Sequence, residues 1–168
     1  SAAVNLSDIA AMGGEPRFAL IGLGLPGRCA AEDVAAFYRG FMRLGRKHGL
    51  QLVGGDTCRS GSDLIISVTV LGEAKRSRII TRSGSRPGDL IFVTGTLGDS
   101  AAGLELLTAG AGSRKPGTGR LMERHLRPVP RVAWGRKLAR AGCVSSMIDV
   151  SDGLSSDLGH LCEESGTG

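Results

Sequence analysis

Residues 18–25 read Phe-Ala-Leu-Ile-Gly-Leu-Gly-Leu, and residues 31–48 read Ala-Glu-Asp-Val-Ala-Ala-Phe-Tyr-Arg-Gly-Phe-Met-Arg-Leu-Gly-Arg-Lys-His. The first run is short, apolar and closed by Pro26-Gly27, the pattern of a buried strand. The second places Val34, Phe37, Phe41 and Leu44 on one helical face. Glu32 and Asp33 fall in its first turn and Arg46, Lys47 and His48 in its last, as the helix dipole favours. Gly49 supplies a stop. Residues 50–53 then give a short strand ending in Gly54-Gly55-Asp56-Thr57. Residues 64–71, Leu-Ile-Ile-Ser-Val-Thr-Val-Leu, give a β-branched one. Strand, helix, strand, strand is an α/β order, more narrowly α+β. The last two strands are expected to pair antiparallel.

Upstream, residues 2–6 read as the approach to a helix, with Ser7 or Asp8 as candidate N-cap and a stop at Gly13-Gly14-Glu15-Pro16. Downstream, residues 75–88 are polar and basic and contain Gly84 and Pro87, the composition of a linker. Residues 89–94 (Asp-Leu-Ile-Phe-Val-Thr) read as a new strand running into Gly95-Thr96-Leu97-Gly98-Asp99-Ser100 and a helix over 101–108. Residues 110–119 are glycine-rich and basic and are expected to form a mobile loop. Helices are expected over 129–141 and 154–164. A short strand at 147–150 meets Ser151-Asp152-Gly153.

Composition narrows the function. Of 168 residues, 41% are hydrophobic and 22% charged, which is globular rather than disordered. The 27 glycines follow no collagen period and sit at turns. The net charge of +5 is spread out and lacks interleaved aromatics, which argues against a dedicated nucleic-acid binder. No apolar run reaches the roughly 18 residues of a membrane span, and no signal peptide opens the sequence, so a cytoplasmic location is expected. Cys29, Cys58, Cys143 and Cys162 lack CxxC spacing and read as reduced thiols.

The chemistry concentrates in carboxylates set beside glycines or hydroxyls at element ends: Asp8, Asp56, Asp99, Asp149 and Asp152. Any one of them alone reads as a helix cap or an Asx turn. Several converging on one cleft would repel one another unless cations stood between them, and Mg²⁺, which bridges carboxylates and phosphates, is the expected cation. Asp149 and Asp152, in Ile-Asp-Val-Ser-Asp-Gly, carry the sharpest local signal. Asp157 and His160, further along the last helix, are assigned surface roles. Gly95-x-x-Gly98-Asp99-Ser100 lacks the lysine of a Walker loop and is read as a strand-to-helix turn capped by Asp99. No nucleophile elbow or Cys-His arrangement is present.

Five blocks in order are Leu6-Ser-Asp-Ile-Ala-Ala-Met-Gly-Gly-Glu-Pro16, Val53-Gly-Gly-Asp-Thr57, Thr94-Gly-Thr-Leu-Gly-Asp-Ser-Ala-Ala-Gly-Leu104, His125-Leu-Arg-Pro-Val-Pro-Arg131 and Ile148-Asp-Val-Ser-Asp-Gly-Leu154. Together they resemble the thiamine-monophosphate kinase family, within the aminoimidazole-ribonucleotide-synthetase-like superfamily. The resemblance implies a two-domain fold whose N-terminal domains form a dimeric β-barrel. Residues 1–80 would be part of the ATP- and Mg-binding dimerisation domain and residues 86–168 the first part of the C-terminal domain. Both would be incomplete, because the family's terminal segments are missing. It implies phosphorylation of thiamine monophosphate to thiamine diphosphate, with ATP as co-substrate and Mg²⁺ as cofactor. By the same resemblance Asp8, Asp56, Asp149 and Asp152 are metal ligands. Tyr38, Gly55, Asp56, Arg82 and Ser151 contact the nucleotide, and no catalytic residue is needed beyond the ligands. The expected partners are the two substrates and a second copy of the chain, without nucleic acid or membrane. The alternatives are another ATP-using member of the superfamily, a catalytically inactive dimerisation or nucleotide-binding fragment, and, on charge alone, a nucleic-acid binder.

Overall fold

A computed structural model describes residues 2–110 and 117–167. In chain order it holds α1 (Ala2–Ala11), β1 (Glu15–Leu25), α2 (Ala31–Lys47), β2 (Gln51–Arg59), β3 (Ile65–Glu73), a 3₁₀ turn at Arg76–Arg78, α3 (Asp99–Thr108), α4 (Thr118–Leu126), α5 (Val132–Ala141) and α6 (Leu154–Ser165).

The three strands form an open sheet in the order β2-β1-β3. β1 pairs parallel with β2, from Phe18 opposite Gln51 to Leu25 opposite Arg59. It pairs antiparallel with β3, from Glu15 opposite Glu73 to Gly24 opposite Ile65. The expected antiparallel pairing of the last two strands is therefore wrong: β2 and β3 lie on opposite sides of β1. The reason is burial. β1 alternates Ala19, Ile21 and Leu23 onto one face, all nearly inaccessible, and so belongs at the centre. The middle of β2 is Gly54-Gly55-Asp56-Thr57, all exposed, and suits an edge. The 17-residue α2 supplies the long crossover that a parallel pair requires.

The core lies between the sheet and the helices. Leu6 and Ala10 of α1, Phe41 of α2, Leu50 before β2 and Val132 of α5 close over Ala19, Ile21 and Leu23. Ala2, Leu6 and Ala10, four residues apart, are the buried stripe of α1. That stripe starts the helix at Ala2, so Ser7 and Asp8 stand inside it rather than capping it. α5 crosses α1 so closely that a Cβ on Gly135 would lie 2.0 Å from the Ala10 carbonyl oxygen. Glycine is what permits the crossing.

Beyond Ile80 the chain is organised differently. Residues 89–94, expected as a strand, are not in a sheet. Leu90, Ile91 and Phe92 are 80%, 63% and 83% exposed, and no strand among the described residues offers them a ladder. Residues 147–150 likewise form no ladder, although the Met147 amide donates to the Thr81 carbonyl (3.1 Å). The segment is tied down by hydroxyls instead. Ser145 Oγ donates to Asp89 (2.6 Å), Ser85 and Ser146 share a short hydrogen bond, and Ser165 Oγ accepts from the Gly84 and Ser85 amides (3.1 Å each). The loop expected over 110–119 ends sooner, because Thr118 and Gly119 already belong to α4. Residues 111–116 lie outside the described residues.

Candidate nucleotide and metal site

The first part of the site is built on β2. A Cβ on Gly55 would lie 1.9 Å from the Ile21 carbonyl oxygen, so only glycine allows β2 to lie against β1 there. The register shift between Ala19 and Leu20 leaves Val53 unpaired two residues before Gly55. Asp56 follows immediately, exposed, its carboxylate accepting the Thr57 amide (2.8 Å). Tyr38 leans over this strand from α2, its ring edge-on to Phe37 at 5.4 Å. Tyr38, Gly54, Gly55, Asp56 and Thr57 line an open cleft of about 460 Å³. An aromatic wall, a bare backbone edge and a carboxylate form a surface suited to a polar, flat-ringed ligand.

The second part joins distant segments. Asp8 is exposed on α1, and Asp149 and Arg82 come into its electrostatic reach from segments outside the helices and the sheet. Partial burial pushes the Asp8 carboxyl above the ordinary carboxylate range, the Asp149 charge adds to the rise, and the Arg82 guanidinium opposes it. Two carboxylates competing in this way fit a divalent cation, because Mg²⁺ is usually held by one or two protein carboxylates and completed by phosphates and water. Among the described residues no group of three or more His, Cys, Asp or Glu side chains stands at metal-binding spacing. Asp8 and Asp149 are thus drawn together, while Asp56 and Asp152 do not join them in such a group.

Asp152 and Ser151 are exposed in the turn before α6. That turn is held by a residue the sequence reading put on the surface. Asp157 is 3% exposed, and its Oδ2 accepts the amides of Ser151 (3.0 Å) and Gly153 (3.1 Å). The i, i+4 spacing from Gly153 and the place of Asp157 in the first turn of a helix were the available signal. Asp99 is also corrected. Gly98 is the N-cap of α3, and Asp99 is the first helical residue, holding the turn by accepting the Thr96 hydroxyl and facing Arg124 at 3.8 Å. His125 at the end of α4 meets Ser100 at the start of α3 (3.1 Å), so two of the five sequence blocks touch.

Beside this open mixed sheet and its tyrosine-walled cleft stands a match of residues 1–74 to the family "AIR synthase related protein, N-terminal domain". Over nearly its whole length the chain is similar to thiamine-monophosphate kinases. It is 41% identical over 165 residues to that of Bacillus subtilis (strain 168), covering 97% of this chain and 50% of the relative. Among solved structures, the complex of AaThiL with AMPPCP and TMP superposes with a TM-score of 0.89 at 40% identity, covering 97% of this chain and 51% of that one. The thiamine-monophosphate kinase of Stenotrophomonas maltophilia K279a gives a TM-score of 0.89 at 40% identity, covering 98% and 52%. The chain spans about half the length of the curated relatives it matches.

Proposed function

We propose that the chain carries the ATP- and metal-binding part of a thiamine-monophosphate kinase, which transfers the γ-phosphoryl group of ATP to thiamine monophosphate. The observation that carries the reading is the 40% identity, over 97% of the chain, to a kinase solved with AMPPCP, taken with the cleft that joins Tyr38, Gly55 and Asp56. In this reading Tyr38 walls the nucleotide, and the close β2 backbone at Gly55 lets it approach. Ser151 and Arg82 contact its phosphates. Asp8 with Asp149 would hold Mg²⁺ together, and Asp56 and Asp152, which do not join that pair in one group, would be ligands at their own places. When bound, Mg²⁺ screens the charge of two polyanions and aligns the in-line transfer.

The acceptor is a phosphate oxygen already ionised at neutral pH, so the chain needs no general base. As the new O–P bond forms, the bond from the γ-phosphorus to the bridging oxygen breaks, and ADP leaves. The task of the protein is to orient the two reactants. Residues 1–80 and 86–168 are read as parts of two domains. Phe18, Leu20, Ile65 and Leu71, exposed on the face of the sheet away from the helices, are read as the surface a second copy covers to complete a β-barrel. The enzyme is assigned to the cytoplasm.

The test is to express the natural gene product that contains this sequence and to supply ATP, Mg²⁺ and thiamine monophosphate. Thiamine diphosphate and ADP should form in equal amounts. Asp8→Asn should lower turnover on the order of a hundredfold while the far-UV spectrum is unchanged, since it removes a charged ligand but little volume. ATP turnover with a different acceptor, or none with any, would overturn the assignment.

A further inference from the structure

Among the described residues, the buried charged side chain that the proposed chemistry does not use is Asp157. A carboxylate 3% exposed is costly unless its lone pairs are engaged. It does not cap its own helix in the usual way, by accepting amides of the first turn. It reaches back from α6 to the amide of the N-cap Gly153 and, beyond the cap, to that of Ser151, at 3.1 and 3.0 Å, both through Oδ2. The bracketed residue between them is Asp152. Gly153 holds φ +128°, a conformation that L side chains rarely adopt. A three-residue turn with one member in that region has other conformations open to it, and two amides fixed on one oxygen remove them.

We propose that Asp157 is a positioning residue. Its buried carboxylate locks the Ser151–Gly153 turn in the shape that leaves the Asp152 carboxylate and the Ser151 hydroxyl facing outward for metal and nucleotide. The claim rests on the metal- and nucleotide-binding reading of those two residues, and it adds a group that touches neither ligand. A second consequence follows from the same two bonds. The Ser151 and Gly153 amides are already engaged, so a ligand at this turn meets its side chains rather than those two N–H groups. The turn differs in this from phosphate loops that bind through backbone amides.

The experiment uses the natural gene product that contains this chain and two readouts. The first is hydrogen exchange of individual amides in the protein without metal or nucleotide. Asp157→Ala should speed exchange at Ser151 and Gly153 by about tenfold or more, while amides in the later turns of α6 keep their protection. Asp157→Asn, which keeps a carbonyl acceptor of the same size, should restore most of the protection. The second is steady-state kinetics against Mg-ATP. Asp157→Ala should raise the half-saturating concentration more than it lowers the saturated rate, and Asp157→Asn should reverse most of that rise. Should Asp157→Ala not fold, Asp157→Ser carries the same comparison, because its shorter side chain cannot reach both amides.

Unchanged exchange at Ser151 and Gly153, or faster exchange along the whole of α6, would overturn the proposal. So would an unchanged half-saturation alongside the expected exchange pattern. If the parent protein shows no kinase activity, the kinase reading fails by itself. Binding of Mg-ATP, followed by its protection of the same amides, then takes the place of kinetics and decides the role of Asp157.

Discussion

The two stretches on either side of Ile80 are held together by different physics. Before it, three strands and two helices bury Leu6, Ala19, Ile21, Leu23, Phe41 and Leu50 in one apolar core. After it, Val132 and Ala139 are the apolar side chains that α5 buries, and the segments outside the helices are fixed by serine hydroxyls on backbone amides, carbonyls and Asp89. The candidate site draws on both. The Tyr38–Asp56 cleft stands on the apolar region, whereas Arg82, Asp149 and Ser151–Asp152 stand on the hydroxyl-bonded one. An apolar core is set by pattern and tolerates solvent at its rim. A hydroxyl network is short-ranged and depends on each pair staying in register. The cleft on β2 is therefore expected to keep its shape when the second region is perturbed, and the acidic turn is not.

The strongest way to break that contrast is Leu6→Ala. Leu6 is fully buried, and its loss removes packing from the core that both regions share through α1 and α5. Urea unfolding should show a loss of about 3 kcal/mol. A loss under about 1 kcal/mol would mean that α1 does not anchor the core.

A more selective cut is Gly135→Ala. The added Cβ would meet the Ala10 carbonyl oxygen at 2.0 Å, which forces α5 away from α1 while leaving the sheet untouched. The expected cost is about 2 kcal/mol. Intrinsic Trp134 fluorescence on α5 should shift while the ladder amides of β1 keep their exchange protection. Equal deprotection of β1 would show that the two regions unfold as one.

Smaller still is the ion pair between Arg136 of α5 and Glu15 of β1, at 2.9 Å. Both side chains are more than one-third exposed or close to it, so the pair should contribute only about 0.5 kcal/mol. Arg136→Gln should give that loss in low salt and almost none in 0.5 M salt, a concentration at which the screening length is on the order of a few Å. A loss that salt leaves unchanged would mean that the guanidinium acts by packing instead.

The same contrast explains what could be read from the sequence. The long periodic elements, α2 above all, were legible because their apolar spacing is their cause. The sheet order was not. The short β2–β3 connection suggested a hairpin, and only the burial of Ala19, Ile21 and Leu23 together puts β1 between the two. Residues 89–94 show the opposite failure. Leu-Ile-Phe-Val has every local property of a strand, but a strand needs a neighbour, and local pattern does not say whether one is there. The candidate Asp residues could be singled out by their glycine and hydroxyl neighbours. That Asp149 comes into the electrostatic reach of Asp8, or that Asp157 turns inward to brace Ser151 and Gly153, depends on tertiary placement the spacing does not encode.

The smallest expected effect has the least usual sign. Burial and the Asp149 charge both raise the Asp8 carboxyl above its ordinary value of 3.8, with Arg82 opposing. A carboxyl raised on folding contributes stability that is complete below its unfolded value and is lost as pH rises through the folded one. At neutral pH the ionised Asp8 therefore costs the fold something. Asp8→Asn, neutral at every pH, should melt at a slightly higher temperature than the parent at pH 7 and at the same temperature at pH 3. Because Asp8 is largely exposed, the gain should be smaller than any loss above. Magnesium sharpens the test. A cation between Asp8 and Asp149 would stabilise the parent by mass action and leave the Asn variant nearly unmoved, so millimolar Mg²⁺ should close the gap or reverse it. If the Asn variant melts lower at pH 7, or keeps an equal advantage at pH 3, then Asp8 is held by the fold for its own sake. Asp8 and Asp149 would then not be a pair that a shared cation relieves.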